Sequence, residues 1–171
     1  MKGYVQVYTG DGKGKTTAAL GLALRAAGAG FKVYIAQFVK GMKYSELRTL
    51  SKLQDLITLK QYGRDCFIYR SPESEDIKAA RVGLKEVKEK MLSGEYQLII
   101  LDEANIATYY NLFSVDDLLD FIRDKPVAVE LVMTGRRADP RIIAVADLVT
   151  EMKEIKHYYQ DGVEAREGIE K

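Results

Sequence analysis

The chain has little of several features that would otherwise point to a function. Its 171 residues include one cysteine, Cys66, so neither a disulfide framework nor a cysteine-based zinc site is expected. The net charge is only +1, which gives no broad electrostatic basis for binding nucleic acid or a membrane surface. No apolar run approaches the roughly 20 residues of a membrane-spanning helix. We therefore expect neither nucleic acid nor a membrane among its partners.

Location and domain number follow from equally simple properties. The chain opens with Met1-Lys2-Gly3 directly into an apolar strand pattern, so no secretory leader is predicted and a cytoplasmic location is expected. The composition, with 47% hydrophobic and 30% charged residues, is ordinary for a globular protein. A chain of this length is predicted to form one domain over residues 1–171 with a complete core.

Short apolar runs alternate with helical patterns along the chain. Strands are predicted at residues 4–8, 33–38, 57–62, 98–101, 127–133 and 148–151. Helices are predicted at residues 16–27, 45–53, 75–92, 115–123 and 140–145. Nearly continuous apolar strands between helices are typical of a mostly parallel sheet with helices on both faces, a three-layer α/β fold. Residues 64–74 are predicted to be a surface loop and residues 157–171 an irregular tail.

A glycine-rich segment with the sequence TGDGKGKTT, residues 9–17, joins the first predicted strand to the first helix. In that context the backbone N–H groups of the loop and the start of the helix point at a polyphosphate. Lys15 would neutralise the outer phosphates, and the Thr16 hydroxyl would hold Mg²⁺. The residues expected to bind ATP in this segment are Thr9, Gly10, Asp11, Gly12, Lys13, Gly14, Lys15, Thr16 and Thr17.

This segment departs from the usual P-loop in one place. The first glycine of the common pattern is replaced by Thr9, while Gly10 and Gly12 restore flexibility and Lys13 adds a second cation. A dinucleotide-binding loop fails because Lys15 occupies its third glycine position. A flexible solvated turn would have no reason to place Lys-Thr-Thr at the start of a helix. The segment therefore predicts a P-loop NTPase-like, RecA-like fold.

Two carboxylates follow the buried strand at residues 98–101. Asp102 and Glu103 would emerge at the carboxyl end of this strand, the edge where open α/β sheets bind ligands. Either side chain could hold Mg²⁺, directly or through water, because Mg²⁺ takes few protein ligands. Without the P-loop, a helix cap after a strand would be the better explanation of the pair.

Two arginines, Arg136 and Arg137, follow the strand predicted at residues 127–133. A guanidinium at this edge can bind phosphate oxygens in a bidentate manner. A surface turn with solvated cations is the alternative, and Arg136 is the better candidate for ATP binding. These residues together predict a Mg-nucleoside triphosphate site, but they leave the reaction open among a hydrolase, a kinase and an alkyl transferase.

Five ordered segments resemble the P-loop type of ATP:corrinoid adenosyltransferase, the family that makes adenosylcobalamin. They are YTGDGKGKTTAA at residues 8–19, QFVKG at 37–41, LDE at 101–103, TGR at 134–136, and a closing block. The closing block comprises ADLVTEM at 146–152, KH at 156–157, GV at 162–163 and GIE at 168–170. The resemblance covers nearly the whole chain, and it includes the replaced first glycine and the extra lysine of the loop.

The resemblance implies a reaction that needs no nucleophile from the protein. Cobalt(I) of a reduced corrinoid would attack the 5′ carbon of ATP, forming a Co–C bond and releasing triphosphate. ATP would bind in the reverse sense relative to ordinary P-loop enzymes, so that the 5′ carbon faces the corrin. A chain with one histidine and one cysteine suits such chemistry. His157 is then expected to be structural rather than a cobalt ligand or a base.

The resemblance also implies roles for particular residues. Lys13 and Lys15 would be the catalytic cations, and Thr16 with Glu103 would support Mg²⁺, with Asp102 beside them. Family members place aromatic side chains beneath the corrin ring, and the comparable residues here are Phe67 and Tyr69, which could instead be core residues. The familiar tryptophan has no counterpart, because the chain contains none.

The expected partners follow from the same family. They are ATP, a cobalamin or cobinamide, an electron-donating flavoprotein and a second copy of the chain in a homodimer. Many members cover the site with a segment before the first strand, and here a partner subunit or a mobile loop is expected to exclude water. Two other functions remain at this point: a P-loop phosphotransferase or ATPase with another substrate, and a nucleotide-sensing module without turnover.

Overall fold

The computed structural model describes residues 2–41, 44–63 and 72–171. Six strands are present in these residues: β1 (Val5–Thr9), β2 (Val33–Phe38), β3 (Ile57–Tyr62), β4 (Leu98–Asp102), β5 (Glu130–Thr134) and β6 (Leu148–Glu151). The α-helices are α1 (Lys15–Gly28), α2 (Ser45–Leu50), α3 (Ser74–Leu92), α4 (Ala104–Tyr109), α5 (Val115–Arg123) and α6 (Pro140–Val145). Short 3₁₀ turns cover Ser51–Leu53 and Tyr158–Asp161.

The six strands form one sheet in the order β3-β2-β4-β5-β1-β6, and all neighbouring strands run parallel. The predicted parallel α/β fold is therefore confirmed. Because the strands are parallel, their carboxyl ends meet at a single edge of the sheet. That edge carries the loop after β1, the acidic pair after β4 and the arginines after β5.

Alternate residues of each central strand face opposite sides of the sheet, as the period of a strand requires. Ile100 of β4 packs with the alanines of α1, whereas Ile99 packs with residues of α3 and α5. Ala19 and Ala23 of α1 are fully buried, and such small side chains let α1 lie close to the sheet. Helices thus cover both faces, with α1 and α2 on one and α3 to α6 on the other.

The strands fall close to where the sequence predicted them. β1 lies one residue later than expected, β4 and β5 end one residue later, and the start of β5 is shifted further. The fifth strand was expected from residue 127, but β5 begins at Glu130 because a turn closed by the Val129 N–H on the Pro126 carbonyl occupies those residues. The short helix α4 was not predicted. The last three residues of the helix expected at 45–53 form a 3₁₀ turn. Of the loop expected at residues 64–74, residues 64–71 lie outside the described residues, and Ser74 already begins α3.

None of the helices in the described ranges is long and apolar enough to cross a membrane.

One glycine in the middle of α3 makes room for an aromatic side chain of the sheet. A Cβ atom at Gly83 would lie 2.4 Å from Cγ of Tyr62, whereas one at Gly21 of α1 would meet nothing within 4 Å. We expect Gly83→Ala to lower the free energy of unfolding by about 1–3 kcal/mol through overpacking. Gly21→Ala should raise it by up to about 1 kcal/mol, because alanine favours the helix. Chemical denaturation measures both, and equal effects would contradict the packing argument.

Candidate functional site

The loop between β1 and α1 is held against the chain that follows β6. The Gly12 N–H donates to the Met152 carbonyl at 2.7 Å, and the Met152 N–H donates to the Thr9 carbonyl at 2.8 Å. A Cβ atom at Gly10 or Gly12 would lie 2.4 Å or 2.7 Å from the Met152 carbonyl oxygen. Gly10 also has a φ of 94°, which disfavours any other residue. Close packing of backbone on backbone therefore explains why these two positions are glycines.

Thr9 ends β1 and is buried. Its hydroxyl oxygen accepts a hydrogen bond from the Ala138 N–H at 3.3 Å, so it ties the start of the loop to the segment after β5. Threonine in place of the first P-loop glycine thus has a structural role here. Gly14, with a φ of 120°, is the N-cap of α1 and makes the turn into the helix.

Lys15, the first residue of α1, folds back over the loop that precedes it. Its ammonium donates to the carbonyl oxygens of Gly10 and Gly12, each at 2.7 Å. The residue is buried, and that burial lowers the pKa of the ammonium. Lys15 is therefore preorganised at the mouth of the loop, where a bound polyphosphate would exchange these neutral carbonyls for anionic oxygens.

The other loop lysine, Lys13, contacts the end of the chain. Its ammonium lies 2.7 Å from the Glu170 carboxylate, 3.1 Å from the Tyr158 hydroxyl and 3.3 Å from the Ile169 carbonyl oxygen. Hydrogen bonds from Arg166, Lys13 and Tyr158 hold the pKa of Glu170 far below its usual range. Residues 157–171 were expected to be an irregular tail. They fold over the phosphate loop, and Glu170 forms an ion pair with Lys13 of that loop.

A buried polar network joins the ends of three strands to the start of α1. The Asp102 carboxylate, at the end of β4, is almost fully buried. It accepts hydrogen bonds from the Thr16 hydroxyl at 2.9 Å, the Thr134 hydroxyl at 2.6 Å, the Gln37 amide at 3.2 Å and the Lys40 ammonium at 2.8 Å. Four donors use the approximately four acceptor sites of a carboxylate. Asp102 therefore orients Thr16 and holds Lys40.

Glu103 is more open to the site than Asp102. It lies at the N-cap of α4 with a left-handed backbone, φ 61°. Burial, and then the charge of Asp102, raise the pKa of its carboxyl group, while Lys40, Lys15 and Arg136 act in the opposite direction. No hydrogen bond to this carboxylate is found within the described residues. The Glu103 carboxylate therefore lies beside the cavity, close to the Lys40, Lys15 and Arg136 cations.

The side chains of the two arginines after β5 lie in different places. Arg136 lies near the loop, with its guanidinium 3.9 Å from the Asp11 carboxylate, and both side chains are largely exposed. Arg137 turns away with a φ of 58° and stacks on Tyr109, 4.4 Å from the ring centroid. The sequence-based preference for Arg136 as a phosphate contact is consistent with this arrangement.

A cavity of about 800 Å³ lies over the loop. It is bounded by the phosphate loop, the first turns of α1, the start of α2 and the last residues of the chain. The predicted residues that line it are Gly12, Lys13, Gly14, Lys15, Thr16, Thr17, Glu103 and Arg136. Its volume is within the range of roughly 300–1,000 Å³ that is usual for small-molecule sites.

Four other residues were singled out from the sequence: Phe67, Tyr69, Cys66 and His157. Phe67, Tyr69 and Cys66 fall outside the described residues. His157 borders the cavity, but its Nδ1 atom accepts from the Tyr159 N–H at 3.1 Å and so caps the 3₁₀ turn. This contact fits the structural role expected for the histidine.

The oxygen atoms at this edge suit magnesium better than a metal that needs many side chains. Among residues 2–41, 44–63 and 72–171, no group of three or more His, Cys, Asp or Glu side chains could hold an ion. Thr16 and Glu103 offer a hydroxyl and a carboxylate oxygen beside the cavity. Mg²⁺ accepts such a small set because it keeps several waters and binds substrate phosphates. The donor chemistry therefore fits Mg²⁺.

Sequence reasoning missed the parts Gln37 and Lys40 play in the network. Both belong to the QFVKG segment, which spans the last two residues of β2 and the three that follow. The family resemblance included this segment but gave it no role. Gln37 is fully buried within an apolar strand, and its amide also contacts Gln61 of β3 at 3.1 Å. A polar residue inside an otherwise apolar buried strand was the signal that could have found it.

A glycine-rich strand–loop–helix at the carboxyl edge of a parallel sheet, with a lysine and a threonine at the helix start, defines a P-loop nucleotide-binding protein. The family described as ATP:corrinoid adenosyltransferase BtuR/CobO/CobP matches residues 1–170. The chain belongs to this family, as the five segments predicted.

Curated relatives agree with this assignment. The corrinoid adenosyltransferase of a Sinorhizobium species is 34% identical over 179 residues, a match that covers 99% of this chain and 80% of the relative. The corrinoid adenosyltransferase of Pseudomonas aeruginosa is 32% identical over 170 residues, covering 99% and 84%. That of Escherichia coli K12 is 32% identical over 170 residues, covering 99% and 86%.

The contact between Lys13 and Glu170 has a measurable consequence for nucleotide binding. ATP must compete with the Glu170 carboxylate for the Lys13 ammonium, so Glu170→Gln is expected to tighten ATP binding about two- to fivefold. Glu167→Gln is the matched control, because Glu167 pairs with Arg48 at 2.6 Å in the same segment. Titration calorimetry should find that control unchanged, and weaker binding by Glu170→Gln would show that the carboxylate assists ATP instead.

Proposed function

We propose that the protein transfers the 5′-deoxyadenosyl group of ATP to cobalt(I) of a reduced corrinoid, giving adenosylcobalamin or adenosylcobinamide and triphosphate. The observation that carries this proposal is the family match over residues 1–170, together with a phosphate loop that opens into a cavity. The parallel sheet supplies the rigid edge on which the loop lies.

The protein's task in this reaction is positioning and charge stabilisation. The cobalt electron pair forms the Co–C bond, the bond between the 5′ carbon and its oxygen breaks, and triphosphate leaves with that electron pair. Lys15 and the N–H groups at the start of α1 are placed to bind the charge that grows on this leaving group. Lys13 would join them once Glu170 releases it. Because the corrinoid supplies the nucleophile, no side chain has to attack the substrate.

Magnesium fits the same site as a partner of the triphosphate. We assign Thr16 and Glu103 as its protein ligands, with Asp102 holding the Thr16 hydroxyl in place at 2.9 Å. The ion, when bound, would neutralise phosphate charge and so make triphosphate a better leaving group. Arg136, at the rim of the cavity, is assigned to the phosphates as well.

The remaining assignments rest on the family. Phe67 and Tyr69 are proposed as corrinoid contacts. A homodimer, an electron-donating flavoprotein and a cytoplasmic location are proposed on the same basis. Residues 157–171 border the cavity over the loop, so they are candidates for excluding water from part of the site.

Anaerobic incubation with ATP, Mg²⁺ and chemically reduced cobalamin tests the proposed function. We expect the absorption spectrum of an alkylcobalamin to develop with time, and to depend on both ATP and protein. ATP turnover in the absence of corrinoid would favour a phosphotransferase or ATPase instead. ATP binding without turnover, even with reduced corrinoid supplied, would identify a nucleotide-sensing module.

A further inference from the structure

The ammonium of Lys40 lies between Thr16, which is assigned to magnesium above, and Asp102, which holds the Thr16 hydroxyl in place. It donates to Oγ1 of Thr16 at 2.9 Å and to Oδ2 of Asp102 at 2.8 Å. The Thr16 hydroxyl in turn donates to Oδ1 of Asp102 at 2.9 Å. The threonine hydroxyl, the carboxylate and the ammonium therefore form a closed triangle beside the phosphate loop.

Two unusual backbone features hold Lys40 in this place. Val39, the preceding residue, has a φ of 61°, which is rare and costly for a β-branched side chain. A Cβ atom at Gly63, after β3, would lie 2.5 Å from the Lys40 backbone nitrogen, so only glycine allows this approach. A loop that simply continued from the end of β2 into solvent would need neither feature. The fold thus accepts strain next to Lys40 to bring its side chain inward.

The Lys40 ammonium is a largely buried positive charge. Its side chain is 15% exposed. Burial alone would lower the pKa of Lys40, but the charges of Asp102 and Glu103 outweigh burial, and the pKa is raised. The ion pair with Asp102, 2.8 Å from the ammonium, holds this charge beside the carboxylate.

A magnesium ion and this ammonium compete for the same oxygen. Mg²⁺ binds oxygen at about 2.1 Å. An ion on the Thr16 hydroxyl would thus lie within about 5 Å of an ammonium 2.9 Å from that atom. Their like charges repel at that distance in a partly buried site, where water screens weakly. The two cations cannot both be well bound there.

We infer that Lys40 is the resident cation of the nucleotide-free site and that Mg²⁺ must displace it. Lys40 holds Thr16 and Asp102 in their binding geometry when no metal is bound, and it makes the protein a poor magnesium site on its own. The phosphate oxygens of a nucleotide supply the extra ligands with which Mg²⁺ displaces Lys40, so metal and nucleotide bind together. The displaced ammonium remains in the cavity, which Lys40 also lines. This inference rests on the magnesium assignment of the proposed function, and it does not depend on the identity of the second substrate.

The test measures the unfolding temperature with and without Mg²⁺, in the absence of nucleotide and corrinoid. Mg²⁺ at millimolar concentration should hardly change the wild-type protein. Lys40→Met should unfold at a lower temperature without Mg²⁺, because Asp102 loses its counter-charge. It should recover with Mg²⁺, at a half-saturating concentration about tenfold or more below that of the wild type. Lys60→Met removes a surface ion pair with Glu86 and serves as the matched control.

A second pair of variants separates charge from hydrogen bonding. Lys40→Gln keeps donors near Thr16 and Asp102 but removes the charge, so it should gain the same magnesium response. Lys40→Arg keeps the charge and should resemble the wild type. An unchanged magnesium response in both Lys40→Met and Lys40→Gln would overturn the inference. Adenosyl transfer plays no part in this measurement, so failure here and failure of the proposed reaction can be told apart.

Discussion

Replacing Lys15 with alanine is expected to reduce adenosyl transfer by about a hundredfold to a thousandfold. The Lys15 ammonium lies on the loop carbonyls at 2.7 Å, where the triphosphate would bind, so its loss removes charge stabilisation of the leaving group. Initial rates of alkylcobalamin formation at saturating ATP and reduced cobalamin measure this effect. The fold should survive, because the hydrogen bonds that the ammonium makes within the described residues go to backbone oxygens of its own loop.

Lys60→Ala is the control for this prediction. Lys60 is a lysine of β3 that pairs with Glu86 on the surface, 2.7 Å away. Its removal should leave the rate within about twofold of the wild type, because exposed ion pairs contribute little. Turnover of Lys15→Ala at the wild-type rate would refute the assignment of this loop to the triphosphate.

Asp102→Asn is expected to lower the free energy of unfolding by about 3 kcal/mol in the absence of ligands. The substitution leaves the Lys40 ammonium partly buried without its closest counter-charge. It also replaces one carboxylate oxygen, which accepts two hydrogen bonds, with an NH2 group that can only donate. Chemical denaturation measures the change. Asp116→Asn is the control: its ion pair with Arg141 is exposed, and its loss should cost no more than about 0.5 kcal/mol.

A double substitution tests whether the loss belongs to the Lys40 and Asp102 pair. Adding Lys40→Met to Asp102→Asn should be less than additive, because the second change removes the charge that the first left unpaired. The coupling energy between the two sites should exceed about 1 kcal/mol, as expected for residues in direct contact. Additive losses would mean that the two side chains are held by separate contacts.

The fold was largely predictable because its signals are local. Apolar runs gave the six strands, and the periodic helix between residues 75 and 92 was found within one residue of its start. The start of β5 was wrong because a turn at Pro126 interrupts a continuous apolar run. The short helix α4 was missed because its six residues carry too little periodic pattern.

The residues of the candidate site that belong to sequence motifs at the ends of strands could be predicted. Lys15, Thr16, Asp102 and Glu103 do meet at one edge of the sheet, which parallel strands require. The place of Lys40 was not predictable, because it depends on the backbone conformation of a neighbouring valine and on a glycine of another strand. The contact of Glu170 with the loop was equally hidden, since 157 residues separate it from Lys13.

The central claim is that the loop holds all three phosphates as one leaving group. Phosphorus NMR of the reaction mixture tests it most directly, after ATP and reduced cobalamin have reacted on the protein under anaerobic conditions. The account predicts triphosphate in a one-to-one ratio with the new Co–C bond, with no ADP. Formation of ADP and phosphate, or of alkylcobalamin without triphosphate, would contradict it.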